Sequence, residues 1–418
     1  MDILVIGGGG REHAIIKTLK KSPKAGKLYC APGNAGIAAD AETVPIGVNE
    51  FEKIAAFLNS HGDIELTVVA PDNPLADGLV NFLEERGRRA FGPRAEAAII
   101  EASKIFSKNL MRDFNIPTAA YESFSDYGEA VSCAKNSKYP LVVKADGLAY
   151  GKGVIICQSF EEAGAALKSM MLEKSFGENN SKVVIEEFLK GREVSILAFT
   201  DGKTVIPMLS SQDHKKVFDG DSGPNTGGMG AFAPSPFYTK EIEKKTLERI
   251  IYPTVRAMEK LGRTFKGVLY FGLMIAGGEP YALEYNARFG DPETQAVLPL
   301  LKSDLVEIME ATIDGRLSEV SVEWEGGNCV AVVAASKGYP GAYEKGREIK
   351  IGKIDGAEVF HAGDAFKDGK LVTSGGRVLA VSAKGKDIEE ARKKAYSAIE
   401  NISFDGMFYR RDIAEGVK

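Results

Sequence analysis

The first hundred residues alternate short apolar runs with helix-period segments, and this alternation constrains the fold more than any other feature of the chain. Ile3-Leu4-Val5-Ile6 lies in a strand predicted over 2–6, followed by a helix over 11–20, a strand over 27–30, a second helix, a strand over 66–70 and a helix reaching Arg86. Strands separated by crossover helices form a parallel sheet, and such sheets take ligands outside the carboxyl ends of their strands. The loops at those ends are Gly7-Gly8-Gly9-Gly10-Arg11-Glu12-His13, Ala31-Pro32-Gly33-Asn34-Ala35-Gly36 and Pro71-Asp72-Asn73-Pro74. Gly8, Gly9, Gly10 and Arg11, with Gly33 and Asn34, are therefore the predicted seat of a phosphate or other anion, because a helix N-terminus presents free N–H groups there. A tight strand-to-helix turn would use the same glycines. Dinucleotide binding is disfavoured: Glu12 replaces the third glycine of the G-x-G-x-x-G fingerprint, and no acidic residue closes the second strand.

At 418 residues the chain exceeds one ordinary hydrophobic core, so several domains are expected. A net charge of -5 with 27% charged residues gives no global basic field for nucleic acid, which leaves small molecules as the expected partners. Cys30, Cys133, Cys157 and Cys329 show no C-x-x-C pairing, so neither a zinc site nor a disulfide framework is expected. No basic leader precedes the first strand and no apolar run approaches bilayer-spanning length, so no membrane partner is expected and the predicted location is cytoplasmic. The 46 glycines fall in discrete loops, where bare backbone can close on a ligand.

Among the later segments, Glu284-Tyr285-Asn286-Ala287-Arg288-Phe289-Gly290-Asp291-Pro292-Glu293 carries most chemistry. In a strand alternate side chains share a face, which predicts Glu284, Asn286 and Arg288 on one side and Leu283, Tyr285 and Ala287 on the other. A carboxylate and an amide oxygen two residues apart suit Mg²⁺, and a guanidinium beside them suits a phosphate. An ordinary half-solvated strand would show the same pattern. Upstream, a boundary near Ala102 precedes a helix opening at 103–108. A strand over 139–144 ends in Lys144 and runs into the glycine-rich hairpin 145–153, a predicted mobile lid in which the lysine and amides such as those of Gly151 and Gly153 meet phosphate oxygens. It is not a P-loop, since no GxxxxGK[ST] feeds a helix. After a helix to about Lys174, residues 182–189 read as a strand entering a connector that offers backbone groups to an adenine edge, with Glu193 placed to accept from ribose hydroxyls. The stretch from Gln212 to Gly230 shows neither helix nor strand period and reads as a long loop in which Thr226, Gly227 and Gly228 present amides to a substrate carboxylate. His214 within it reads equally as surface or catalytic.

Taken in order, GGGGREHA at 7–14, APGNAG at 31–36, KADGLAYGKGV at 144–154, EEFLKGREVS at 186–195, QDHK at 212–215, PNTGGMGAFAPSP at 224–236 and EYNARFGDPETQAVLPLL at 284–301 resemble the phosphoribosylamine-glycine ligase family of ATP-grasp enzymes across essentially the whole chain. The resemblance implies an α/β and α+β multidomain protein: an N-terminal parallel-sheet (pre-ATP-grasp) domain over 1–101, an ATP-grasp domain over 102–322 with its lid over 118–188, and a small α+β C-terminal domain over 323–418 with a helix over 388–402. It also implies ligation of glycine to 5-phosphoribosylamine with ATP as co-substrate and Mg²⁺ or Mn²⁺ as the metal. Carried over residue by residue, Glu284 and Asn286 match the metal ligands, Lys104 and Lys144 the phosphate contacts, Glu186, Glu187 and Leu189 the adenine connector, and Glu193 the ribose contact. Tyr150 in the lid and Arg192 before Glu193 depart from the family pattern.

The residues support the same chemistry from below. Joining a carboxylate to an amine is uphill in water unless the carboxylate oxygen first becomes a good leaving group, which phosphoryl transfer from ATP supplies as an acyl phosphate. A metal on Glu284 and Asn286, with Lys144 and Arg288, would neutralise the transferring group. Asp213 would pair with glycine's ammonium and hold the carboxylate in a near-attack position. The alternatives are another ATP-grasp carboxylate-amine ligase, a nicotinamide oxidoreductase and a noncatalytic nucleotide binder. ATP, glycine and 5-phosphoribosylamine are the implied partners, with room for transient contact with neighbouring purine-pathway enzymes.

Overall fold

In the computed structural model, which describes residues 1–148, 153–175 and 181–417, the N-terminal alternation becomes a five-stranded parallel sheet. Its strands are β1 (Asp2–Gly7), β2 (Leu28–Pro32), β3 (Glu42–Thr43), β4 (Ile64–Val69) and β5 (Ala90–Phe91), in the order β3-β2-β1-β4-β5. Ile3 to Ile6 of the central β1 are all buried, which is why that strand reads as an unbroken apolar run with no polar face. Helix α1 (Gly10–Leu19) leaves its carboxyl end. The loops after β1 and β2 press together, so that a Cβ on Gly8 would stand 2.5 Å from the Gly33 carbonyl oxygen.

Two four-stranded antiparallel sheets follow. The first has the order Tyr121–Phe124, Val183–Glu187, Leu141–Ala145, Val154–Cys157, and buries one face against the helices Tyr127–Asn136 and Phe160–Leu167. The second helix ends in a π-helical turn at Leu172, short of the predicted Lys174. The second sheet has the order Val205–Pro207, Arg192–Thr200, Gly267–Ala276, Glu279–Asn286. Helix Lys104–Asp113 touches strands of both sheets. Its start is doubly capped: the Ser103 hydroxyl oxygen accepts from the Phe106 N–H (3.1 Å) and the Asp146 carboxylate from the Ile105 N–H (3.1 Å).

A further sheet collects Gln212–Asp213, Gly230–Ala233, Asn328–Ser336, Arg377–Gly385 and Glu358–His361, and packs on helix Ile388–Ile399. The reading of 212–230 as a loop without strands is thereby corrected. Gln212–Asp213 pairs with Gly230–Ala233, and Lys216–Phe218 forms a hairpin with Ser222–Asn225. Strands of two to four residues are too short to display a period of two, and Gly223, Pro224 and Gly228 among them read as breakers. The C-terminal sheet thus borrows two strands from the preceding segment. No helix among the described residues is long and apolar enough to cross a membrane.

The connector between the two antiparallel sheets has almost no free space at Gly191, where a Cβ would collide with the Ile275 carbonyl oxygen and stand 2.8 Å from its carbon. Both are backbone atoms of the neighbouring strand and cannot swing aside. Gly191→Ala should destabilise the protein by about 1–3 kcal/mol, the usual cost of forced overpacking, measured as a lower urea midpoint at unchanged m-value.

Candidate active site

Strand Glu279–Asn286 carries Glu284 into a group of lysines. Lys215 Nζ lies 3.5 Å from Glu284 Oε1 and 2.9 Å from Glu193 Oε2. Burial alone would raise the Glu284 carboxyl, but Lys215, Lys144 and Lys104 outweigh it and hold the group ionised, at about 2. Lys144 donates to the Leu283 carbonyl (3.1 Å) and pairs with Glu186 Oε2 (3.0 Å). Lys104 donates to the Gly147 carbonyl (2.8 Å), which ties its helix to the root of the predicted lid. Lys108, one turn further along that helix, is buried against Glu186 Oε2 (3.0 Å) and Thr118 Oγ1 (2.6 Å). Burial pushes the Lys108 ammonium down to about 8 although Glu186 pulls it up. Glu186 Oε1 is buried without a partner among the described residues, an open acceptor of the kind a ligand N–H would satisfy.

The residues read in the sequence as the adenine and ribose contacts are placed as follows. Glu187 accepts from the Ala120 N–H (3.1 Å), and the backbone of Leu189 in the connector has no backbone partner among the described residues. Glu193 faces Lys215, and Arg192 lays its guanidinium 3.9 Å from the centroid of the Phe237 ring. Gly153 accepts from the Ala145 N–H at the base of the hairpin (2.8 Å), whereas Gly151 and Tyr150 lie outside the described residues.

Glu284 and Asn286 are partly exposed while Tyr285 and Ala287 are buried, as alternation requires. Leu283 breaks the rule. Gly272 pairs with Glu284 but Leu273 pairs with Ala282, so a bulge at Leu283 resets the alternation and leaves that side chain half-buried. Arg288 lies past the end of the strand at Asn286 but keeps the partial exposure of Glu284 and Asn286, between buried Ala287 and Phe289. Its Nη2 pairs with Glu101 Oε1 (2.9 Å), and burial, which opposes its charge, is outweighed by Glu101 and Asp72. The guanidinium therefore turns toward carboxylates at the N-terminal unit. Among the described residues no cluster of three or more Asp, Glu, His or Cys could cage a metal. Two oxygen donors from one strand fit the mode in which Mg²⁺ takes one or two protein ligands and completes its shell with phosphate and water.

Across from the lysines, Asp213 is packed so closely that a Cβ on Gly228 would stand 2.6 Å from its Oδ1. Burial first and Glu293 second push the Asp213 carboxyl well above the usual carboxylate range. Glu293 accepts from the Ser195 hydroxyl (3.1 Å), which also bonds Tyr270 Oη (2.7 Å). Gln212 Oε1, Asp213 Oδ1 and Gln295 Oε1 are buried acceptors with no partner among the described residues. The loop amides, in contrast, are consumed internally: Thr226 N–H by the Lys215 carbonyl (2.8 Å), Gly227 N–H by Tyr339 Oη (3.0 Å) and Gly228 N–H by Thr226 Oγ1 (2.9 Å). The expectation that Thr226, Gly227 and Gly228 offer amides to a carboxylate is corrected, since a segment held between short strands satisfies its own backbone. Arg377 reaches in from the C-terminal sheet to the carbonyls of Gly227 (2.6 Å) and Asp291 (2.8 Å) and to Asp291 Oδ2 (2.8 Å). His214 is held neutral, burial and then Arg410 lowering it to about 4.

The loop Gly8–Gly10 faces the same turn from the N-terminal side. A Cβ on Gly10 would stand 2.7 Å from Gln295 Nε2, and one on Gly9 3.9 Å from Asp291 Oδ2. Glu12 Oε2 accepts the Gly9 N–H (2.6 Å) and Oε1 the Arg11 Nε–H (2.7 Å), so an internal carboxylate fills part of the anion seat that a dinucleotide pyrophosphate would need. Arg11 continues to the Phe289 carbonyl (3.2 Å). Asn34 donates to the carbonyls of Gly8 (3.0 Å) and His361 (2.9 Å) and accepts from Ile37 N–H (2.7 Å). Arg11 is thus engaged by Glu12 and Phe289, and Asn34 holds the Gly8 carbonyl. The Gly8 N–H has no partner among the described residues.

Models of the N domain, the ATP-grasp (A) domain and the C domain of phosphoribosylglycinamide synthetase match residues 1–101, 102–294 and 329–416. The chain belongs to the phosphoribosylglycinamide synthetase family. Phosphoribosylamine-glycine ligases of Caldanaerobacter subterraneus and Clostridium acetobutylicum are 51% and 47% identical to it, over 100% and 99% of this chain and 100% of each relative. The crystal structure of phosphoribosylamine-glycine ligase from Thermotoga maritima matches with a TM-score of 0.87 at 39% identity, over 99% of this chain and 100% of that one. The biotin carboxylase domain of Hydrogenobacter thermophilus 2-oxoglutarate carboxylase, in complex with MgADP and bicarbonate, shares the fold with a TM-score of 0.76 at 19% identity, over 97% of this chain and 91% of that one. The three-domain architecture of the synthetase family, with its N-terminal parallel sheet, is thus the one this chain adopts.

Two synthetase residues went unread in the sequence. Lys108 is four positions from Lys104 and shares its helix face, a signal that exists only once the helix is placed. Lys215 stands in QDHK, but its partners Glu193 and Glu284 are far away in the chain. Lys108→Met should cost about 1–3 kcal/mol, less than stranding a buried charge outright because Glu186 keeps Lys144. Lys108 titrates near 8 in the folded chain against an ordinary 10.5, so between those values the unfolded chain binds the extra proton and this group makes stability rise with pH. Urea titrations across that window should show the rise in the wild type and a smaller one in Lys108→Met.

Proposed function

We propose that this chain joins glycine to 5-phosphoribosylamine through glycyl phosphate, with ATP as the phosphoryl donor. The observation that carries the reading is the Glu284 carboxylate, held ionised among Lys215, Lys144 and Lys104, with the amine-side loop Gly8–Gly10 and the buried acceptor Asp213 meeting at the turn Asp291–Gln295 beyond it. Phosphates belong among the lysines and the two other substrates belong around the turn.

Glu284 and Asn286 hold Mg²⁺ or Mn²⁺, which when bound supplies charge neutralisation on the phosphate oxygens. Lys104 and Lys144 bind the phosphates, and the hairpin containing Gly151 and Gly153 covers them. Glu186, Glu187 and Leu189 line the adenine, and Glu193 takes the ribose. Asp213 receives glycine's ammonium, the opposite charge that returns its raised pKa toward the ionised form. Gly8, Gly9 and Gly10, shaped by Arg11, Gly33 and Asn34, take phosphoribosylamine. The units 1–101, 102–322 and 323–418, with a lid over 118–188, divide these tasks.

In the first step a glycine carboxylate oxygen attacks the γ-phosphorus, the bond to the β–γ bridging oxygen breaks and ADP leaves. In the second the amine attacks the acyl carbon, loses a proton, and phosphate leaves with one oxygen that came from glycine. Positioning and electrostatics supply the rate, and no protein nucleophile takes part.

Oxygen-18 in glycine's carboxylate should therefore appear in inorganic phosphate, detected by mass spectrometry. Label in AMP, or AMP as the nucleotide product, would refute the acyl-phosphate route, and unlabelled phosphate would indicate a phosphorylated protein. Glu284→Gln and Asn286→Ala should each raise the metal concentration for half-maximal activity about tenfold, equivalent to about 1.4 kcal/mol; Asn286→Ala should leave the thermal midpoint of the metal-free protein unchanged, whereas Glu284→Gln, which takes the carboxylate from Lys215, Lys144 and Lys104, should lower it while the fold is retained. Identical metal titrations in wild type and both variants would remove the assignment.

A further inference from the structure

Two of the chain's four histidines meet where the N-terminal unit touches the C-terminal sheet. His13, on α1 three residues beyond Gly10, is 1% exposed. Its Nδ1 accepts the backbone N–H of His361 at 2.8 Å, and its Nε2 lies 3.1 Å from Asp40 Oδ2. An acceptor at Nδ1 fixes the tautomer: the single ring proton sits on Nε2 and is donated to Asp40. A second proton, on Nδ1, would set two N–H donors against each other, so this contact requires a neutral imidazole.

The segment that His13 grips also holds the loop Gly8–Gly10. Asn34 bridges the carbonyls of Gly8 and His361, and Gly36 donates to Asp364 Oδ1 (3.2 Å). A Cβ on Gly36 would collide with the His361 ring. The charged and titratable groups facing His13 are Asp40, Lys17 and Lys20 on its own unit, with Lys17 and Lys20 at 3.8 and 2.8 Å from Asp40, and His361 opposite, its ring centroid 5.5 Å away and its Nδ1 bonded to Asp364.

We propose that His13 is a positioning residue for the amine substrate: in its neutral form it clamps α1 and the Gly8–Gly10 loop to the His361–Asp364 segment, and protonation releases the clamp and weakens amine binding. The inference rests on the reading of that loop as the phosphoribosylamine site. Burial, aided by Lys17 and His361 and opposed by Asp40, keeps His13 below its ordinary 6.5. The released state takes the proton first, so the clamp is intact above about 6.5 and is lost as pH falls below it.

His13→Ala removes the acceptor, whereas His13→Asn keeps an acceptor near the Nδ1 position and cannot be protonated. At neutral pH His13→Ala should raise KM for phosphoribosylamine about tenfold with kcat and the KM values for ATP and glycine within about twofold, the signature of lost binding of one substrate. His13→Asn should restore it. Below about pH 6.5 the ratio of wild-type to His13→Asn KM should climb, and the substrate's own protonation cancels in that ratio. Hydrogen exchange at residues 8–10 and 361–363 should quicken together in His13→Ala and recover in His13→Asn. Unchanged exchange in His13→Ala overturns the clamp. Quickened exchange with unchanged KM overturns its role in amine binding and places the fault in the loop assignment, while parallel losses for all three substrates would reduce His13 to a folding residue. If His13→Ala fails to fold, a flat wild-type to His13→Asn ratio across pH is itself sufficient to overturn the proposal.

Discussion

The structure around the site depends on the electrostatic balance at Glu284. Its three cationic neighbours come from three separate parts of the chain: Lys104 from the helix that opens the middle segment, Lys144 from the end of a strand in the first antiparallel sheet, and Lys215 from just beyond the short strand Gln212–Asp213. Burying a carboxylate is unfavourable on its own, and burying ammonium groups is too, so each needs the others. Glu186 serves both Lys108 and Lys144, Lys215 is shared between Glu193 and Glu284, and Lys104 is also drawn by Asp146 and Glu101. The lysines around Glu284 are the groups that the proposed phosphate chain would meet.

Backbone closeness is the second constraint, and it explains why the N-terminal unit does not do what its glycines first suggest. Gly8 can approach the Gly33 carbonyl only because Gly8 has no side chain, and the same closeness would serve a dinucleotide. Glu12 changes the outcome. Its carboxylate folds back on the Gly9 N–H and on Arg11, so the helix N-terminus already has an anion and the Arg11 guanidinium is already engaged. The Gly8 N–H is left without a partner among the described residues, and Gly9 and Gly10 lie against the turn Asp291–Gln295.

These relations divide sharply by how local they are. The burial of Ile3 to Ile6, the parallel sheet and the shared face of Glu284 and Asn286 were legible because each follows from the geometry of one strand. The half-burial of Leu283 was not, because the bulge there is set by the partner strand. Thr226, Gly227 and Gly228 looked like free amides because their acceptors, the Lys215 carbonyl and Tyr339 Oη, are supplied by a hairpin and a distant loop with no sequence signal. Lys108 and Lys215 were hidden for a related reason: a lysine reveals its function through the carboxylate it meets, and Glu186 and Glu193 are far along the chain.

The C-terminal sheet gives this division of labour its mechanical sense. Because Gln212–Asp213 and Gly230–Ala233 are strands of that sheet, Asp213 is fixed relative to Arg377 by cross-strand hydrogen bonds, and Arg377 in turn fixes Asp291. The same sheet carries His361 at its edge, and through Asn34 it fixes the Gly8 carbonyl. The groups assigned to glycine and to the amine are thus mounted on one hydrogen-bonded body. Lys144, by contrast, belongs to the sheet Tyr121–Phe124, Val183–Glu187, Leu141–Ala145, Val154–Cys157 and meets the rest at the Leu283 carbonyl. Under the proposed assignment, motion of that sheet would shift Lys144 and the phosphates it binds while the groups on the other body keep their hydrogen bonds, so closing over ATP and aligning the two other substrates are mechanically separable.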